Sequence, residues 1–258
     1  IPFPDVNCLY PSLIDGSVWI GTDAAGIIKW NPQTNSRTPI PYLTDNGSHP
    51  AITTMLELPD GTLYFGSFAR GLRRCRNGKI ETLSTGTTLD NAYTWALAKA
   101  PDGKIWIGTL GHGLYRFDPK SLEVKSYNMS NSDLFSDYIL DIARDGEGER
   151  RIYIATSSGV AVFDPIKEKF SSIPLIDGLK INDLLHDTRD LLWVASTRGL
   201  HIYDPHRERI IPLKTSPDKA TPDFILGLQI DNNGNVWASE GGNLVKFNVR
   251  YNDKTGEF

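Results

Sequence analysis

Three features of the sequence predict an all-β propeller built from six tandem four-stranded repeats. An aromatic residue recurs at Trp19, Tyr64, Trp106, Tyr153, Trp193 and Trp237, at intervals of 45, 42, 47, 40 and 44 residues. Each lies in a short β-branched and aromatic segment, from Val18-Trp19-Ile20-Gly21-Thr22 to Val236-Trp237-Ala238-Ser239-Glu240, of strand length and strand preference. Turn residues sit at fixed offsets on both sides of it. A period in the forties with four strands per copy is the sequence pattern of propeller blades, and no stretch is left over for a helix. Such a blade buries its faces only against its neighbours, so residues 1–258 are expected to form one domain. The repeats run at about 6–50, 51–90, 91–133, 134–179, 180–221 and 222–258.

The first strand of each copy is an apolar segment upstream of the aromatic, such as 52–58, 93–98 or 224–230. It leads into a tight turn. Asp15-Gly16, Asp60-Gly61 and Asp102-Gly103 are dipeptides favoured in tight hairpins, where both turn positions can need positive φ. The fourth copy expands this turn to residues 145–150, the sixth uses Asp231-Asn232-Asn233-Gly234, and the fifth, Asp187-Thr188-Arg189-Asp190, lacks glycine. Two residues beyond the aromatic only Gly21, Gly66, Gly108, Ala155, Ala195 or Ser239 is found, which predicts close approach of a neighbouring blade. Thr22, Ser67, Thr109, Thr156 or Ser196 follows, and in the last copy Glu240.

A second hairpin carries Gly26, Gly71, Gly113, Gly159 or Gly199. In the sixth copy Asn243 stands there, and it is expected to hold the same left-handed conformation. The third strand ends at Asn31-Pro32, Asp118-Pro119, Asp164-Pro165 or Asp204-Pro205, because proline cannot donate to the ladder. A weaker outer strand, such as 124–127 or 170–173, completes the unit. In the sixth copy that strand is expected only where the chain ends, so either the ring closes imperfectly with six blades or a longer parent protein supplies a seventh.

Composition excludes several classes. A net charge of −4 and no clustered basic face argue against nucleic acid. Arg70, Arg73, Arg74 and Arg76 are the densest basic stretch, and strand alternation divides them between two sides. No apolar run reaches the roughly 18–20 residues of a membrane helix, so this segment is not expected to insert. Cys8 and Cys75 fall at unrelated repeat positions and are expected to be buried free thiols.

The repeat written in full, Asp-Gly-x-aliphatic-Trp-Ile-Gly-Thr, a short loop, then Gly-Leu-x-x-Phe-Asp-Pro, resembles the two-component regulator propeller repeat. The third copy, Asp102 through Pro119, matches it most fully; the fifth copy departs at its turn and the sixth at Ala238, Ser239 and Glu240. The resemblance implies the periplasmic sensor region of a hybrid two-component receptor of gut Bacteroidetes, in which seven-bladed propellers precede a membrane helix and a histidine kinase. On this reading the chain is a non-catalytic, oligosaccharide-sensing propeller, without cofactor or metal. Its expected partners are the ligand, the other domains of the same receptor and a second copy of the chain.

Two enzyme readings compete. The Asp-Gly-x-x-Trp turns resemble the Asp-box of sialidases, but the arginines recur at no single blade position. Lyases of the virginiamycin type need a histidine with carboxylates, and His49, His112, His186, His201 and His206 show no metal-ligand spacing. A structural or protein-interaction propeller with no small-molecule ligand is the remaining alternative.

In a propeller the loops between second and third strands share a face with the connections between blades. The aromatic-to-apolar spacing across that loop is eight residues in the first three copies and seven in the last three. The longer loops carry Asp23, Phe68, Arg70 and His112; the shorter ones carry Ser158, Arg198 and Gly241. A sugar site wants flat rings for its apolar faces and bidentate groups for its hydroxyls. Phe68, Arg70, Tyr93, Trp95, His112, Arg198 and Glu240 are therefore the candidate ligand-binding residues. Trp95 and Tyr93 could instead be core, Arg70 and Arg198 solvated loop arginines, and Glu240 an interface residue.

Overall fold

The computed structural model describes residues 5–44, 47–145, 150–213 and 224–247. They form antiparallel meanders in which each strand pairs with the next. The first unit, residues 1–127, holds three four-stranded sheets. These are β1 (Val6–Pro11) to β4 (Ser36–Ile40), β5 (Ile52–Glu57) to β8 (Lys79–Thr82), and β9 (Thr94–Lys99) to β12 (Val124–Tyr127). The second unit, residues 128–258, holds β13 (Ile139–Arg144) to β16 (Lys169–Ser172), β17 (Ile181–His186) to β20 (Arg209–Ile211), and β21 (Ile225–Ile230) to β23 (Asn243–Phe247). The last sheet has three strands among the described residues, and the expected fourth, after residue 247, lies outside them. Among the described residues helix is limited to two single 3-10 turns, Thr88–Asn91 and Pro174–Ile176, and none of it is long and apolar enough to cross a membrane.

The recurring aromatics lie on the second strand of each sheet, β2 (Val18–Thr22), β6 (Leu63–Ser67), β10 (Ile105–Thr109), β14 (Ile152–Thr156), β18 (Leu192–Ser196) and β22 (Val236–Glu240). Tyr64, Trp106, Tyr153 and Trp193 are at most 1% exposed, while Trp237 in the last copy is half-buried. Each such ring removes about 150–250 Å² from water, worth roughly 4–6 kcal/mol at about 25 cal/mol per Å². The core is a series of layers between successive sheets. Trp19, Ile27, Met55, Phe65 and Cys75 fill one, Tyr64, Leu72, Ile105 and Phe117 the next, and Tyr153, Val160, Leu184 and Val194 one in the second unit.

The small residue after each aromatic does what its size predicts. A Cβ on Gly66 would stand 2.7 Å from the Thr94 carbonyl oxygen of the next sheet, and one on Gly21 would stand 2.5 Å from Met55 Cε. The hydroxyl after it closes the following loop: Thr22, Thr109, Thr156 and Ser196 donate to the carbonyls of Gly26, Gly113, Gly159 and Gly199 at 2.7–3.0 Å.

One turn reading is narrowed and one is corrected. In the Asp-Gly turns only Gly16, Gly61 and Gly103 have positive φ. The aspartates instead accept the N–H two residues on, Asp60 Oδ1 from Thr62 at 3.0 Å and Asp102 Oδ1 from Lys104 at 3.1 Å. In the fifth copy Asp190 itself takes the left-handed place, at φ 63°. Asn243 does not: it is the first residue of β23, paired with Glu240, and Gly241 and Gly242 form the turn at φ 51° and 87°. Two consecutive positive φ values make the tight two-residue hairpin, which few residues other than glycine tolerate.

Innermost strands of successive sheets are stapled at a bulge. Cys8 Sγ lies 3.9 Å from the Ile52 carbonyl, Thr53 Oγ1 donates to the Thr94 carbonyl, and Asn182 Nδ2 donates to the Ile225 carbonyl at 2.7 Å. Each of these strands, β1, β5 and β17, shifts register at that point. Cys8 and Cys75 are free, and burial pushes the Cys8 thiol up to about 12, so it stays protonated.

Candidate functional site

The loop face of the first unit brings four of the candidates onto one support. That support is the connection from β8 to β9, ending in Asn91-Ala92-Tyr93. Thr87 Oγ1 caps its 3-10 turn by accepting the Leu89 N–H. Asp90 Oδ1 accepts the N–H and hydroxyl of Thr85 at 2.8 and 2.6 Å, and Oδ2 accepts the Gly86 N–H at 3.0 Å. Burial alone would raise the Asp90 carboxyl, but these hydrogen bonds and the charge of Arg73 hold it below the ordinary carboxylate range.

Loops from two sheets dock on this connection. Gly71 N–H donates to the Ala92 carbonyl and Leu110 N–H to the Tyr93 carbonyl, both at 2.9 Å. The first contact carries the loop of Phe68 and Arg70, the second that of His112. Gly71 cannot be replaced without moving the backbone, since a Cβ there would lie 2.1 Å from the Leu89 oxygen. Phe68 and Tyr93 then meet edge to face, with centroids 4.8 Å apart and planes at 89°.

Both rings face solvent, Phe68 at 50% exposure and Tyr93 at 37%. Trp95 is also 37% exposed, two residues along from Tyr93, while Thr94 and Ala96 between and beyond are buried. Tyr93 stands just before β9 and Trp95 at a register shift of β9 against β10, and neither is core. His112 is exposed and Arg70 half-buried. The other two candidates belong to the second unit. Arg198 is exposed in the two-residue turn Thr197-Arg198, with its N–H on Ser196 Oγ at 3.1 Å, and Glu240 is half-buried at the end of β22.

The remaining histidines have local duties. His201 Nε2 lies 3.2 Å from Ser196 Oγ, and burial lowers its pKa. His49 Nδ1 lies 2.8 Å from the Tyr42 carbonyl. His186 and His206 both approach Asp190, one oxygen each, with His186 at 2.8 Å. Sequence reasoning missed that convergence, because it depends on Asp190 replacing a turn glycine. Among the described residues no group of three or more His, Cys, Asp or Glu side chains is arranged to hold a metal ion.

Sequential antiparallel meanders, with small residues such as Gly21 and Gly66 where neighbouring sheets of a unit pack, are the build of a β-propeller, and solved structures share that fold. The chain aligns over 97% of its length with the extracellular domain of BT4673 from B. thetaiotaomicron, described as a hybrid two component system, at 24% identity and a TM-score of 0.76. The corresponding domain of BT3049 from the same organism aligns over 93% at 22% identity and a TM-score of 0.76. Virginiamycin B lyase from Staphylococcus aureus aligns over 96% of the chain and 86% of its own at 14% identity and a TM-score of 0.73.

Residues 88–111 match the family model described as two component regulator propeller. The matched window is the one that holds Tyr93 and Trp95. The whole chain spans about a third of the length of the two B. thetaiotaomicron domains, 32% and 33%. No curated protein matches the sequence.

Proposed function

We propose that this chain is a non-catalytic, ligand-sensing propeller of the periplasmic part of a two-component receptor, and that its ligand is an oligosaccharide. The observation that carries this reading is the Phe68–Tyr93 pair, two large rings held at right angles and open to solvent on a hydrogen-bonded support. Exposing such rings forgoes several kcal/mol of burial, and a corner of two ring faces suits the apolar face of a sugar. Trp95 extends the surface, and Arg70 and His112 supply donors for hydroxyl or carboxylate groups. Arg198 and Glu240 are the equivalent polar candidates of the second unit. The extracellular receptor domains that share the fold support the sensory role.

A protein-interaction role is the second reading. It is favoured by Leu9, Leu13 and Ile14 at the first sheet, which are 55–63% exposed. Thermal-shift screening of the complete receptor ectodomain against plant and host oligosaccharides separates the two, since a ligand that binds only the folded state raises its melting temperature. A glycan-dependent rise that is lost in Phe68→Ala supports the sensing role. No rise with any glycan favours the interaction role.

A further inference from the structure

Asp141 and Asp183 hold the same place on successive innermost strands of the second unit. They lie in Ile139-Leu140-Asp141-Ile142 on β13 and Ile181-Asn182-Asp183-Leu184 on β17, each just after a register shift against the second strand. The bulge turns both carboxyls along the row of strands instead of across one sheet. Asp141 Oδ2 and Asp183 Oδ1 both accept the Leu184 N–H, each at 2.9 Å. Asp183 Oδ2 accepts the Leu228 N–H of β21 at 2.6 Å. Two carboxyls thereby tie three strands from three sheets.

Two acceptor oxygens on one amide are a surplus of acceptors, which a proton between the carboxyls would relieve. Among the described residues no cation pairs with either carboxyl. Arg144 and His186 stand three residues farther on, at the turn ends of β13 and β17; β14 offers only Tyr153, β18 and β21 carry no titratable side chain, and Glu240 ends β22. Burial raises both carboxyls from the ordinary range, and for Asp183 the charge and the hydrogen bond of Asp141 add to it.

We propose that Asp141 and Asp183 form a proton-dependent clasp: with one proton between them they draw β13, β17 and β21 together, and loss of that proton sets two anions around a single amide and loosens this edge of the unit. An unfolded aspartate releases its proton near pH 3.9, whereas the folded pair keeps one above that. Folding then takes up a proton, so stability falls as pH rises through the pair's range and is level beyond it.

The test is thermal unfolding of the chain from pH 5 to pH 9, native against Asp183→Asn, with carbon-detected NMR titration of the aspartate carboxyls in the native chain. Asparagine keeps an oxygen for Leu228 and offers Asp141 a permanent N–H. The native melting temperature should fall with pH, by about 3–5 °C for each unit by which the pair is displaced. In Asp183→Asn the fall should flatten, leaving the variant the more stable at pH 9. Should the variant fail to fold, the carboxyl titration decides. Both carboxyls titrating near pH 3.9, or a variant as pH-sensitive as the native chain, overturns the clasp.

Discussion

The indole N–H of Trp193 donates to Asp187 Oδ2 at 2.9 Å, so the most buried ring of the fifth copy is fastened to the first residue of its own turn. The same carboxylate accepts Arg189 Nε at 2.8 Å, and its other oxygen accepts the N–H groups of Arg189 and Leu191. In the sixth copy Asp231 holds Trp237 at 3.1 Å, and in the first Glu57 of the next sheet holds Trp19 at 2.9 Å. An aspartate in a hairpin thus anchors a ring as well as a turn.

Asp187→Ala should therefore cost about 1–3 kcal/mol, since it leaves the buried indole N–H without its acceptor. Asp187→Asn, which keeps one acceptor oxygen, should cost less than the alanine. Chemical denaturation of the two variants checks the order, and equal losses would mean that shape, not the carboxylate, fixes Trp193.

Three glycine-to-alanine variants should rank by what their new methyl meets. Gly71→Ala strikes backbone oxygen in the connection under the candidate site and should be the most damaging. Gly66→Ala strikes Thr94 of the next sheet and should cost about 1–3 kcal/mol. Gly103→Ala meets nothing within 4 Å and should lose only the left-handed penalty, about 1–2 kcal/mol. Measured urea midpoints in any other order would show that the sheets can shift apart.

Phe68→Ala and Arg70→Ala should leave the unliganded melting temperature within about 1 °C of the native value, because neither side chain is core. Both should abolish a glycan-induced shift. A native-sized shift in either variant removes that residue from the site.

At low pH, Asp204 should contribute to unfolding. Burial would raise its carboxyl, but the Arg207 guanidinium at 2.8 Å and the backbone N–H groups of His206 and Arg207 hold it below the ordinary range. Its stabilisation is present above the unfolded value and fades as pH drops through the folded one. Asp204→Asn should flatten the acid limb of a pH–stability curve, and an unaltered limb would assign the acid loss elsewhere.

The repeat was legible because it rests on local demands. The ring at Trp106, the methyl-free Gly108 and the loop-closing Thr109 each answer a constraint set within a few residues. Asp190 escaped notice since a left-handed aspartate looks like any polar turn residue. Trp95 was ambiguous for a similar reason: alternation defines two sides of a strand, but which one is covered depends on the neighbouring sheet. The docking of Gly71 and Leu110 on Ala92 and Tyr93, and the meeting of Asp141 with Asp183, join residues of different repeats. The recurrence of Ile-x-Asp-Ile/Leu at 42 residues was the available hint for the second of these.

Loop length divides the two units in their capacity for change. Around Gly241 and Gly242 the backbone reverses in two residues, and an added amino acid would have to be accommodated by the strands themselves. Around Phe68 to Gly71 the chain already departs from its ladder, and there new side chains can be tried without disturbing the sheet. Diversification toward other ligands should accordingly concentrate in the first half of the chain, with the second half serving as its conservative frame.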